Sequence, residues 1–415
     1  MTTTLPPGFN DDFAASPGET IKATHNRTNT RIRIMSTGTA PAPEPAPAPE
    51  PTPTPMTLPP VRPLAALTVR PAPVPTYLTR WTDPDLGTVI TRITNTPGLR
   101  HPYARLQPEN ADGSLILADF TPSSGRLIDG HTFADRGAFR AVPFAVWSNV
   151  DPYTIYGAQG NALVRQDVRT DASGGSKVIR DLGAPVTLRY EQGVADDDSA
   201  IALAAGGWMY LVDPRSGSIL ASTADPGGDN LQVSRRGSRV IVVAGSTRAY
   251  LPSAASLVLD RTLFPTANHG DNWLDPSGNE WFVSDNAIRP GESQGHVLAA
   301  RLSDGTITEL LPTRTAFENG HTSGRGPEVV LSTYDPIGMA GRPGCDQVVS
   351  IAPGGVRVWA FSRRSLTKAY SAMTSAERDA AYPGEPQAVP SRDGRRVYFA
   401  SDWGGSVYMY AAEAA

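Results

Sequence analysis

The chain has a single cysteine, Cys345, among 415 residues, so no disulfide can form within it. Apolar runs long enough to span a bilayer are missing, which removes a helical membrane anchor. A large charge of one sign is missing too: the net charge of -4 gives no basic surplus to draw in nucleic acid. The N-terminal Met1-Thr2-Thr3-Thr4-Leu5-Pro6-Pro7 has neither the basic start nor the apolar core of a secretory signal. Helical periodicity is confined to one stretch, about 366–381, in which Thr374-Ser375-Ala376-Glu377-Arg378 has capping-box character and which Pro383-Gly384 stops. A cytoplasmic or virion-associated protein with no membrane partner is the expectation these absences leave.

What the chain has in quantity is turn material, 39 Gly and 39 Pro, which suits many short strands. Asp275-Pro276-Ser277-Gly278 stands between the polar Asn268-His269-Gly270-Asp271 and the apolar Trp281-Phe282-Val283, the pattern of two strands joined by a tight turn. The pattern recurs at Asp112-Gly113, Asp196-Asp197-Asp198, Arg235-Arg236-Gly237, Gly324-Arg325-Gly326 and Arg392-Asp393-Gly394. Its spacing of about 40–45 residues is that of propeller blades. The fold expected is therefore all-β, a seven-bladed β-propeller with an extended Pro-rich N-terminal arm. The blades fall at 101–137, 141–170, 186–223, 229–264, 268–312, 320–362 and 385–412. The last is one strand short unless Thr88 to Thr94 supplies it, which would close the ring.

Three domains follow: an arm or anchoring segment at 1–35, a Pro/Ala/Glu-rich linker at 36–76, and the propeller at 77–415. Alternating proline, as in Ala40-Pro41-Ala42-Pro43-Glu44-Pro45, favours an extended polyproline II spacer. Residues 1–60 would suit attachment to a larger protein assembly.

The innermost strand of each blade lines the axial channel, so the residues before each turn converge. They are His101, Tyr103 and Arg105; Arg189, Tyr190 and Glu191; Asn230 and Gln232; His269 and Asp271; His321, Ser323 and Arg325; and Gln387. Three of the six histidines fall at this equivalent place. Imidazoles suit proton transfer and metal ligation, and guanidinium forks suit carboxylates. The same residues have a purely structural reading, in which they tie blade to blade around a wet channel.

His101-Pro102-Tyr103-Ala104-Arg105, Asn268-His269-Gly270-Asp271, Gly320-His321-Thr322-Ser323 and Pro386-Gln387-Ala388-Val389-Pro390-Ser391-Arg392-Asp393-Gly394 resemble segments of the seven-bladed propeller polysaccharide lyases, the oligogalacturonate and ulvan lyase groups. The resemblance spans roughly 88–412. It implies cleavage of a uronate-containing acidic polysaccharide by β-elimination. A base takes the proton beside the carboxylate, a cation neutralises that carboxylate, and an acid protonates the leaving oxygen. By this resemblance the base is His101 or His269, the clamp Arg189 or Arg105, and the acid Tyr103 or Tyr190. Asp271, Arg325, Gln232 and Glu191 would bind substrate, and His269, His321 and Gln387 would hold a divalent metal, although the closely spaced histidine pair of the oligogalacturonate enzymes is absent. A second reading stands beside this one: a non-catalytic virion protein, anchored by its arm and used for structure or surface binding.

Overall fold

The computed structural model describes residues 58–118, 125–189, 193–266, 270–289, 295–311 and 314–415, with the backbone of two further strands. Those two, Ile21–Lys22 and Met35–Ser36, pair antiparallel within a separate N-terminal unit. The rest of that unit and the Pro/Ala/Glu run at 41–55 lie outside the described residues.

The second unit is a β-propeller. Its strands form consecutive antiparallel meanders, from Val146–Trp147, Thr154–Gln159, Ala162–Asp167 and Lys177–Asp181 in blade two to Val389–Pro390, Arg396–Ser401 and Tyr408–Ala414 in blade seven. Counted as hydrogen-bonded sheets there are five of four or more strands and one of three. The count falls below seven because blades three and four are joined at one parallel bridge, Ser222 to Ser256, into an eight-stranded sheet. The three-stranded sheet is blade one, to which Glu109 adds an isolated bridge with Ile116 at the inner position.

Packing shows the seven-part ring directly. Seven apolar clusters each unite the facing sides of two consecutive blades. One and two share Leu117, Phe139, Trp147 and Ile155. Three and four share Met209, Leu211, Leu231 and Val242, and four and five share Phe264 and Phe282. The circuit closes where Ile116 and Ile128 of blade one meet Tyr398 and Met409 of blade seven. Alternating strands supply one row of apolar side chains to each neighbour, so every sheet is buried on both faces.

The turns behave as their residues dictate. At Asp275 the carboxylate accepts from Asn279 N (2.8 Å), and Gly278 N donates to Asp275 O (2.8 Å) with Gly278 at φ +80, a conformation that costs glycine little. The triple aspartate is a turn as expected, but Asp198 is not solvated: it is buried, accepting from the hydroxyls of Ser148 (2.5 Å) and Tyr156 (3.0 Å). The helix is shorter than expected, Ser375–Ala381, and its capping box at Thr374 and Glu377 is formed.

Thr88–Arg92 pairs with Tyr408–Ala414 and so joins the start of the ring to its end. The N-terminal boundary needs correction. Residues 58–76 are not a free spacer. Val61–Arg62 adds a fifth strand to blade six, Arg357 donates to Pro59 O (2.6 Å), and Gln347 to Ala65 O (2.7 Å). Leu64, Leu67 and Val69 pack on the apolar cluster shared by blades five and six. Proline-rich sequence excluded a long strand here but not docking along an edge.

Ile90 on the closing strand is 2% exposed within the cluster of blades six and seven. Ile90→Ala should cost about 2–4 kcal/mol through lost burial and the cavity left behind, read as a lower denaturation midpoint in urea.

Candidate functional site at the axial mouth

First strands run from one end of the channel, the mouth, to turns at the other. At the mouth, residues 100–105, 319–321 and 382–387 come together. His101 is fully buried, and its Nε2 meets the Gln387 carbonyl at 2.6 Å. Burial and the neighbouring Arg100 charge hold the imidazole down at about 3, so it is neutral and Nε2–H donates. Arg100 donates to Gln387 Oε1 (2.7 Å). Gln387 itself stands at φ +44, and these two bonds hold it in that unfavourable conformation. His101 is thus a structural clamp on Gln387 and not the exposed base the resemblance implied.

Tyr103 and Arg105 lie in the same cluster. The Tyr103 ring meets His321 edge to face at 5.7 Å, and the Arg105 guanidinium lies over the Tyr103 ring at 4.4 Å. Arg105 also reaches Asn230 Oδ1 (3.4 Å), and its charge acts on Asp285, whose carboxyl is raised by burial to about 8. His321 Nε2 lies 3.5 Å from Glu385 Oε2. Glu385 accepts from the Tyr370 hydroxyl (2.9 Å), which in turn accepts from Arg364 (2.9 Å). Burial raises the Glu385 carboxyl to about 7, with Arg364 and Tyr370 opposing.

Above this dyad is a cavity of about 430 Å³, lined by Asn319, His321, Tyr334, Asp335, Tyr370, Arg378, Tyr382 and Glu385, among others. Tyr334 lies 5.6 Å from His321 and 5.1 Å from Tyr370, ring to ring. Burial and the nearby Glu385 push the Tyr334 and Tyr370 phenols up, so both remain hydrogen-bond donors at neutral pH.

The remaining candidates are placed elsewhere. Asp271 and Arg325 are both buried and form a two-pronged ion pair, with Nε to Oδ2 at 2.9 Å, and Gly324 N donates to the same oxygen at 2.8 Å. Gln232 donates to Gly270 O (2.9 Å) and accepts from Asn272 (2.7 Å). These three join blades four, five and six, as the structural reading had it, and do not open on the cavity. Arg189 is bound to Asp225 and to Gly227 O (3.2 Å) and does not line the cavity. His269, Tyr190 and Glu191 lie outside the described residues. Glu385, Tyr334, Tyr370, Tyr382 and Arg378 escaped the sequence reading. Their one signal was the lone helical stretch between blades six and seven, an insertion where a regular propeller needs none.

Among the described residues no three His, Cys, Asp or Glu side chains are grouped to hold a metal. Of the expected set, Gln387 offers its carbonyl oxygen to a guanidinium, which repels a cation, and His321 lies beside a single carboxylate, Glu385, short of a three-ligand group. The described donors do not complete a metal site. Cys345 is half-buried, donates to Pro336 O (3.1 Å), and is pushed up by burial to about 11, far from a reactive thiolate.

The fold is that of the oligogalacturonate lyases. A solved structure of oligogalacturonate lyase in complex with manganese superposes with a TM-score of 0.57 at 14% identity, covering 86% of this chain and 98% of that one. Oligogalacturonate lyase from Vibrio parahaemolyticus gives 0.53 at 14% identity, covering 81% and 96%. No protein-family model and no curated sequence matches the chain. At such identity the likeness establishes the propeller and leaves the chemistry to be argued from the side chains.

Two outcomes follow from these contacts. Asp271→Asn leaves the Arg325 charge buried without its partner and should cost about 3–5 kcal/mol in denaturant melts. Glu385 has a folded value near 7 against 4.5 when exposed, so folding favours its protonated form. That contribution is fully present below about pH 4.5 and is lost as pH rises through 7. Relative to Glu385→Gln, the wild-type protein should lose about 3 kcal/mol of stability across this window.

Proposed function

We propose that the propeller acts on a uronate-containing glycan at the axial mouth and cleaves it by β-elimination. The observation that carries this reading is the one cavity wall on which an imidazole backed by a carboxyl, His321 with Glu385, meets the phenol of Tyr334. The shared fold supports it.

In this reading His321 removes the proton on the carbon beside the sugar carboxylate. Those electrons form the ring double bond and expel the glycosidic oxygen, which takes a proton from Tyr334. Glu385 fixes the imidazole orientation and favours its charged form after the proton is taken. Tyr334 suits the acid role because its raised phenol retains the proton until a stronger base, the departing alkoxide, develops. The carboxylate is met by the basic side of the mouth, where Arg378 lines the cavity and Arg364 stands behind Tyr370.

Incubation with pectate, alginate, ulvan and glycosaminoglycans, followed by ultraviolet absorbance of unsaturated products, tests the reading. Turnover on one of them is expected, with His321→Ala reducing it at least 10²-fold and Tyr334→Phe by a similar factor. Silence on all four with the folded wild-type protein would overturn the enzymatic reading and leave a binding role, with attachment through residues 1–60, in its place.

A further inference from the structure

We propose that Trp208, on the rim of blade three, is a stacking platform for a sugar ring of a long glycan chain, a binding site apart from the cavity; this rests on the glycan part of the reading above. Trp208 begins the strand Trp208–Val212, and Ala205 just before it pairs with Val186 at the start of the first strand of the blade. It therefore stands at the mouth end of the ring, although it does not line the cavity. A glycan long enough to cross the ring meets both on one end of the propeller.

Its surroundings set it apart from the other six tryptophans. Trp147, Trp273, Trp281 and Trp359 each donate the indole N–H to an oxygen, and Trp81 and Trp403 meet edge to face at 5.6 Å. Trp208 is 48% exposed, and its indole has no hydrogen bond, ring contact or guanidinium partner among the described residues. The strand beyond it is committed on both faces, with Met209 and Leu211 packed toward blade four and Tyr210 and Val212 toward blade two. The ring is thus carried on a fixed backbone.

The positions flanking it are small. Trp208 stands opposite Ala205 on one side and Ala224 on the other. The turn before it is Gly206-Gly207, both at positive φ (+57 and +79), the geometry of a two-residue type I′ hairpin. Asparagine also suits such a turn. Two glycines and two alanines instead leave no side chain at these four positions large enough to cover the indole.

Polar groups stand at the same turn. Asp225, next to Ala224, donates its amide to Gly207 O (2.9 Å), and its carboxylate accepts from Arg189 and from Gly227 N (2.9 Å). A carboxylate has about four lone-pair sites, so acceptor capacity remains. A pyranose asks for this combination. Its ring C–H bonds form a flat apolar face that lies on the negative face of an aromatic ring, while the hydroxyls at its edge need polar partners. Leu220 and Val258, exposed on the next two strands, are what a protein partner would use, and the test separates that occupant from a glycan.

The test reads the indole itself, in a His321→Ala background that keeps the polymer from being consumed. Indole N–H signals are followed by NMR as pectate, alginate, ulvan and glycosaminoglycan chains are added. Trp208→Ala identifies the Trp208 signal, and melting temperatures confirm the fold of each variant. With at least one glycan the Trp208 signal should move, and Trp208→Ala should weaken the dissociation constant about tenfold or more. Trp208→Phe should keep part of the affinity through its smaller ring. Binding that leaves the Trp208 signal in place and survives Trp208→Ala overturns the platform and leaves the glycan reading standing. A Trp208 signal that moves with protein concentration alone, alongside a dimer in sedimentation, assigns the face to a second copy and overturns the platform too. Absence of binding to all four glycans overturns it as well, while turnover by the wild-type protein decides the catalytic reading separately.

Discussion

Closure of the ring is the constraint from which the rest follows. Thr88–Arg92 pairs along Tyr408–Ala414, and with that pairing the first and last parts of the propeller become one blade. Seven apolar interfaces then depend on one another around the circle, because no blade can shift without opening a gap on its other side. Edge strands elsewhere are treated the same way: Val61–Arg62 covers blade six and Arg80–Thr82 covers the closing strand. A closed ring also dictates chemistry. Its innermost strands face each other, so a charge placed there has no route to bulk water and must find a partner in a neighbouring blade. Asp271 with Arg325, and Gln232 with Asn272, meet that demand.

Much of this could be read from residues before any coordinates. Asp, Ser, Gly and Pro at regular intervals mark turns by local chemistry, and strand pairing at fixed separation follows from them; the closing role of Thr88 to Thr94 came from counting strands. The site was legible only in part. His101, Tyr103, Arg105, His321 and Gln387 do gather at one end, because equivalent positions in equivalent blades must. Their roles were not legible, since a polar residue on an inner strand looks the same whether it faces a cavity or a neighbour's carbonyl. His101 illustrates this: its ring nitrogen is taken by the Gln387 carbonyl and, unlike His321, it lines no part of the cavity, so a candidate base becomes a clamp. Tyr334, Tyr370 and Glu385 were hidden for another reason. They meet through an insertion whose packing obeys no repeat, so spacing carries no information about it.

That insertion sets the junction of blades six and seven apart among the described residues. A regular propeller offers the same rim at each junction, and such symmetry gives no preferred place for an asymmetric ligand. Here 366–384 stands over a single junction and brings two tyrosines and an arginine to the mouth, while Arg364 anchors it from below. Raised carboxyl values at Glu385 and Asp285 have the same origin: walls on several sides keep water away from groups that would otherwise ionise freely.

The opposite end of the channel is built to different effect. There Arg392 of blade seven reaches past blade one to Asn149 Oδ1 (2.8 Å) in blade two, holding the Asn110 carbonyl (2.8 Å) on the way. Arg235 of blade four reaches past blade five to Gly324 O (2.7 Å) in blade six and pairs with Asp196 of blade three. A side chain can skip a blade only close to the axis, so these guanidiniums bridge the channel floor. Arginine suits the task because its planar fork serves several backbone carbonyls at once, which a single ammonium group cannot do in fixed directions. Their charges are near enough that Arg235 and Arg325 help burial lower Arg392 to about 10, an opposition that Glu109 and Asp196 offset. A floor braced in this way couples blades that are not neighbours in the ring.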